Sequence, residues 1–188
     1  MVQFPGPPVV PVFPDPVKNK PVFGPHKSPN QPNVFPGMQV LIVGLPTHEF
    51  ILKAAQRTGP EGHVFVVAER QGASDRLQAR MQPFGFNNLT FQISESYEPS
   101  LPQASVDRAY VVSALDKITD KLRALKEIRR VLKPEGLLGV DQRLLELGLS
   151  GRKTVLQWCQ KAGFELAASY GNPLHYFLVF RPEEPESE

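Results

Sequence analysis

Met38-Gln39-Val40-Leu41-Ile42-Val43-Gly44 decides the fold, because the run is apolar almost without a break and stops at glycine. A strand with one wet face would alternate polar and apolar side chains. One that does not is covered on both faces, as in a parallel sheet packed between helices. The residues after Gly44 agree. Thr47 offers a hydroxyl cap, Glu49 lies in the first turn, and Phe50, Ile51, Ala54 and Ala55 form a helical apolar face that ends before Gly59-Pro60.

Outward from that unit the alternation repeats. Val64 to Val67 reads as a second buried strand, Ser74 to Met81 as a helix, Leu89 to Ile93 as a third strand after a Gly85-Phe86-Asn87-Asn88 turn, and Ala109 to Ser113 as a fourth. Ile118, Leu122, Leu125, Ile128 and Val131 recur every three or four residues with Lys and Arg between them, which predicts an amphipathic helix ended by Lys133-Pro134-Glu135-Gly136. Leu137 to Val140 is a fifth strand. Val155, Leu156, Cys159 and Ala162 mark another helix, closed by Gly163 as a left-handed cap. Leu166 to Tyr170 and Tyr176 to Phe180 flank Gly171-Asn172-Pro173, too short for a crossover helix, so these strands pair antiparallel at the sheet's end. The pattern predicts an α/β fold: a Rossmann-like, doubly wound, mostly parallel seven-stranded sheet with an antiparallel last strand. Such sheets bind ligands at the carboxyl ends of their strands.

Three regions divide the 188 residues. Residues 1–35 hold about half of the prolines, which fix φ and remove amide donors, so they form an extended arm and not a helix or central strand. In that arm Pro11-Val12-Phe13, Pro21-Val22-Phe23 and Asn33-Val34-Phe35 could plug into grooves of the domain, and the arm is expected to serve as part of a lid. Residues 36–182 form the folded domain and residues 183–188 an acidic tail.

A formal charge of +2 is too small for the basic field that dominates nucleic-acid binding. Cys159 is the sole cysteine, so no intrachain disulfide forms, as in a reducing compartment. No apolar run is long enough to span a membrane, and no signal-peptide pattern opens the chain, so the expectation is a soluble, cytoplasmic protein. His26, His48, His63 and His175 show no zinc-like spacing with one another or with Cys159, and neither a G-x-S-x-G elbow, a phosphate loop nor an intact dinucleotide fingerprint occurs. Trp158 and Tyr176-Phe177 read as core packing.

Several stretches then carry a resemblance. They are Pro36-Gly37-Met38-Gln39-Val40-Leu41 leading into a glycine turn, Gly59-Pro60-Glu61-Gly62, Leu101-Pro102 through Ser105-Val106-Asp107, Glu127-Ile128-Arg129-Arg130-Val131-Leu132-Lys133-Pro134-Glu135-Gly136, and Ala162-Gly163-Phe164-Glu165. Over about Pro36 to Pro182 the chain resembles the small class I S-adenosylmethionine-dependent methyltransferases related to the ubiquinone and menaquinone methylating enzymes. The resemblance implies S-adenosylmethionine as cofactor and a site built from Gly44, Glu69, Glu95, Ser96 and Ser113. Relatives carry an acidic residue and three alternate glycines at the end of strand one; here Ile42 stands at the acidic position, only Gly44 remains, and Pro46 and His48 replace the other glycines. The cofactor loop is therefore degenerate. Pro46 lacks an amide donor, and the His48 side chain could fill space that a ligand needs.

By the same resemblance Glu69 is the ribose carboxylate, Glu95 with Ser96 meets the adenine, and Ser113 and Leu115 line the cleft. Glu95→Ala is expected to weaken nucleoside binding most. Asp116 and Asp141 are candidate general bases for a hydroxyl or amine acceptor. Two functions stay open. One is a methyltransferase acting on a small or medium-sized substrate that enters beside strands four and five, which Glu95 and the strand-four region favour. The other is a non-catalytic binding or scaffold descendant, which the lost glycines favour. Neither the methyl acceptor nor the oligomeric state follows from the sequence.

Overall fold

The computed structural model of the chain describes residues 34–44, 46–143 and 150–183. Most of the arm, residue 45, the segment 144–149 and residues 184–188 lie outside them, and with them the expectations for a lid and a tail.

The elements run β1 (Gln39–Val43), α1 (His48–Thr58), β2 (His63–Ala68), α2 (Gln71–Met81), β3 (Leu89–Ile93), β4 (Val106–Val112), α3 (Lys121–Val131), β5 (Leu132–Arg143), α4 (Arg152–Lys161), β6 (Phe164–Gly171) and β7 (His175–Pro182). They build one seven-stranded sheet in the order β3-β2-β1-β4-β5-β7-β6. β1 to β5 are parallel, and β7 runs antiparallel to both β5 and β6.

The apolar run of β1 buries both faces of the strand, as its unbroken hydrophobicity requires. Val40 and Ile42 pack with Phe50, Ile51 and Ala54 of α1 and Leu77 of α2, whereas Leu41 and Val43 belong to the opposite layer with Leu125 and Ile128 of α3 and Val155 of α4. Within the α1 layer, Phe50 meets Tyr110 edge-on at a ring separation of 5.4 Å.

Local chemistry sets the element ends. Thr47 Oγ1 accepts from the Phe50 amide, so α1 starts at its expected cap. At the far end Asn88 Nδ2 donates to the carbonyls of Ala55 (2.9 Å) and Gly59 (2.8 Å), which satisfies helix-end oxygens with a side chain from the strand connection. Gly163 takes the left-handed conformation expected after α4, at φ 81°.

Lys133-Pro134-Glu135-Gly136, expected to end the helix ahead of the strand, lies inside β5. Leu132 pairs with Val106, and pairing resumes at Leu137 with Arg108, so the intervening residues loop out of the ladder. A proline cannot donate to a central ladder, which is why the strand bulges there.

Candidate functional site

The carboxyl ends of the five parallel strands lie along one edge of the sheet, and an open cleft of about 660 Å³ lies there over β1, β2, β4 and β5. That is where an open parallel sheet presents unpaired backbone and helix starts.

The chain leaves β1 through Gly44 at φ 99°, its amide donating to Val67 O at 2.9 Å. A Cβ added here would come within 2.7 Å of Ala114 Cβ and 2.8 Å of Val112 O, so the turn after β1 rests directly against the turn after β4. Pro46, buried, and Thr47 continue the cleft wall into α1. His48 is the first residue of α1 and does not line the cleft, so the ring occupies none of its volume.

At the end of β2, Glu69 lines the cleft half-buried and accepts a hydrogen bond from the Tyr97 hydroxyl at 3.3 Å. Arg70 Nε stands 3.9 Å from the same carboxylate on a mostly exposed side chain. Tyr97 reaches Glu69 because the turn after β3 folds back. Ser94 accepts both from the Tyr97 amide (3.0 Å, carbonyl) and from the Glu98 amide (3.0 Å, hydroxyl), and Tyr97 itself adopts φ 57°. Burial, and then the charge of Glu69, push the Tyr97 hydroxyl up to about 12, so it stays a neutral donor through the physiological range.

At the end of β4, Ser113 lines the cleft at φ 47°, a conformation a non-glycine residue holds only when its surroundings impose it. The constraint is its amide, which donates to Asp141 O at 3.0 Å. Asp141 lies opposite Val112 in the β4–β5 ladder, is 4% exposed and lines the cleft. Its Oδ1 is 2.7 Å from His175 Nε2. The Asn172 side chain sets that histidine, with Oδ1 accepting from the amides of Leu174 (2.9 Å) and His175 (3.0 Å). Lys117, exposed, completes the wall as the last residue of a short 3-10 turn, Leu115–Lys117.

Of the residues expected to form the site, the structure brings Gly44, Glu69 and Ser113 together. It does not bring Glu95 and Ser96 to them: both are exposed on the turn after β3 and outside the cleft lining, where Tyr97 stands instead. Leu115 is fully buried in the core beneath α3. Asp116 is tied up by the Gln142 side chain and by Ser150, whose amide (3.2 Å) and hydroxyl (2.5 Å) both donate to it. It anchors the return of the chain after β5 and is not poised as a base. Tyr97 was not legible because a left-handed non-glycine residue leaves no mark in hydrophobic periodicity. Among the described residues no group of three His, Cys, Asp or Glu is arranged to hold a metal.

With this geometry in view, the comparison with known proteins is specific: a methyltransferase domain model matches residues 42–140. The chain belongs to the methyltransferase domain family. Among curated proteins it is 34% identical over 106 residues to the ubiquinone/menaquinone biosynthesis C-methyltransferase UbiE of Bordetella avium, covering 56% of this chain and 41% of that protein. It is 28% identical over 93 residues to the protein-L-isoaspartate O-methyltransferase of Ignicoccus hospitalis, covering 50% and 43% respectively. The chain thus spans less than half the length of these two relatives. Of solved structures, an S-adenosylmethionine-dependent methyltransferase from Aquifex aeolicus aligns with a TM-score of 0.70 at 19% identity, over 78% of this chain and 82% of that one. The [4+2]-cyclase SpnF aligns at 0.67 with 17% identity, over 80% and 76%. At these identities the likeness is one of fold, the class I methyltransferase fold.

Proposed function

We propose that the methyltransferase domain transfers a methyl group from S-adenosylmethionine to a small or medium-sized acceptor entering beside β4 and β5. The observation that carries this reading is the cleft itself, about 660 Å³ in volume, with a carboxylate and a phenol paired over β2 and a glycine turn over β1. Its volume lies within the usual range for small-molecule sites. The residues fit a nucleoside: Glu69 accepts hydrogen bonds from ribose hydroxyls, Tyr97 keeps the carboxylate aimed while excluding water from it, and Gly44 and Ser113 line the floor. When bound, the cofactor supplies a methyl group on a positively charged sulfonium.

For its part, the chain mainly aligns donor and acceptor, since in-line displacement rewards positioning above acid-base chemistry. Asp141, held by His175, lies on the cleft wall over β5.

Calorimetric titration with S-adenosylmethionine and its demethylated product tests the reading. Micromolar binding is the expected outcome. A flat titration at millimolar ligand, with cooperative unfolding confirmed in the same sample, would overturn it in favour of a binding or scaffold role.

A further inference from the structure

The cleft carries four charged side chains in two sets. Over β2, Glu69 and Arg70 stand 3.9 Å apart. Over β4 and β5 stand Lys117 and Asp141, both on the wall of the same cleft. Lys117 enters none of the ion pairs found among the described residues. Asp141 is 4% exposed, with His175 Nε2 at 2.7 Å from its Oδ1, so its carboxylate is fixed in direction.

Strand order turns this into a polarity. β2, β1, β4 and β5 are successive neighbours, so a ligand whose ribose lies at Glu69 extends across Gly44 and Pro46 toward Lys117 and Asp141. At Pro46 the wall offers no amide hydrogen to an anion. The far half of the proposed cofactor is an α-amino acid, a carboxylate beside an ammonium. Such a zwitterion is held in a partly dry cleft only if each charge meets its opposite.

We propose that the amino-acid end of the cofactor is held by two side chains, Lys117 on its carboxylate and Asp141 on its ammonium, in place of the loop amide that Pro46 lacks. This rests on the cofactor reading above. His175 acts as a positioning residue through Asp141, and neither Lys117 nor Asp141 is required for the nucleoside.

Calorimetry on the full chain separates the two claims with two probes, S-adenosylhomocysteine, which carries the amino acid, and 5′-methylthioadenosine, which lacks it. The wild type is expected to bind the first about tenfold or more tighter, the size expected of charge-assisted hydrogen bonds. Lys117→Met and Asp141→Asn should each erase most of that preference while leaving the affinity for methylthioadenosine unchanged. Lys117 is exposed, so its variant folds irrespective of any effect at Asp141. The inference is overturned if the wild type shows no preference, or if Lys117→Met retains it in full or loses both probes equally. Wild-type protein that binds neither probe overturns the cofactor reading as well, whereas binding of both without preference overturns only the zwitterion clamp.

Discussion

Gly44 has two reasons to be glycine, and both belong to the fold. Its φ of 99° is strained for any side chain, and a methyl group there would strike Ala114 and the Val112 carbonyl. Gly44→Ala should therefore cost about 2 kcal/mol or more, read as a lowered midpoint in urea; a midpoint within error of wild type would contradict the crowding. The carboxylates divide differently from their spacing along the chain. Glu69 lines the cleft with Tyr97 on it, and Glu95 stands outside it, so Glu69→Ala should weaken S-adenosylhomocysteine binding roughly tenfold to a hundredfold. Glu95→Ala should leave it within about twofold, the size of an ordinary exposed substitution. The reverse ranking would place the nucleoside over β3. Glu69 and Gly44 were singled out by the family resemblance, and the structure places both on the cleft wall. Tyr97 was not, because its direction comes from a turn closed by Ser94, and one strand-end residue looks like another until that turn is seen.

α1 is bounded by chemistry the sequence displays, and the connections are where it falls short. α1 begins at Thr47 and ends at Gly59 as its residues dictate, yet the side chain that satisfies its last carbonyls comes from Asn88, far along the chain beyond β2 and α2. Asn88→Ala removes one of the donors on each of those oxygens, leaving Ala55 O to the Gly59 amide and the Thr58 hydroxyl and Gly59 O to the Gly62 amide, and should destabilise the fold by about 1 kcal/mol, measured by chemical denaturation. An unchanged midpoint would mean water replaces the amide without cost. β5 shows the opposite error: Lys133-Pro134-Glu135-Gly136 carries the marks of a turn, but Leu132 pairs with Val106 before it, so the strand begins earlier than local propensity allows. Pairing across the sheet outranks the turn. At the cofactor loop, Pro46→Gly frees the unfolded chain and should cost up to about 1 kcal/mol in stability. With the side-chain clamp in place it should alter S-adenosylhomocysteine affinity by only a few-fold, and complete loss of binding would show that the proline's rigidity shapes the cleft.

Taken as a whole the molecule is a sheet packed on both sides, and that much follows from the alternation of buried strands with amphipathic helices alone. The position of β7 between β5 and β6, in contrast, is dictated by the short turn at Gly171-Asn172-Pro173 acting together with the open edge of β5. Three buried groups tie this architecture to alkaline pH. Burial pushes the Tyr97 and Tyr176 hydroxyls and the Cys159 thiol up to about 12, each above its ordinary value. Since the folded state holds these protons more tightly than the unfolded one, their contribution is complete below the ordinary values and is lost as pH rises toward about 12. The urea midpoint should fall steeply from about pH 9 upward, and Tyr97→Phe should flatten that fall; a midpoint constant to about pH 11 would contradict it. The placement of β7 also orders events in time. A chain emerging from the ribosome completes β6 before β7, so until β7 is made the β5 strand keeps a bare edge over Leu138 to Arg143, and β6 has nothing to join. His175 is the first residue of the missing strand, which makes the Asp141 wall the last part of the cleft to be set. Synthesis stalled just short of it yields a domain with five strands in register, an adhesive edge and a half-made ligand site.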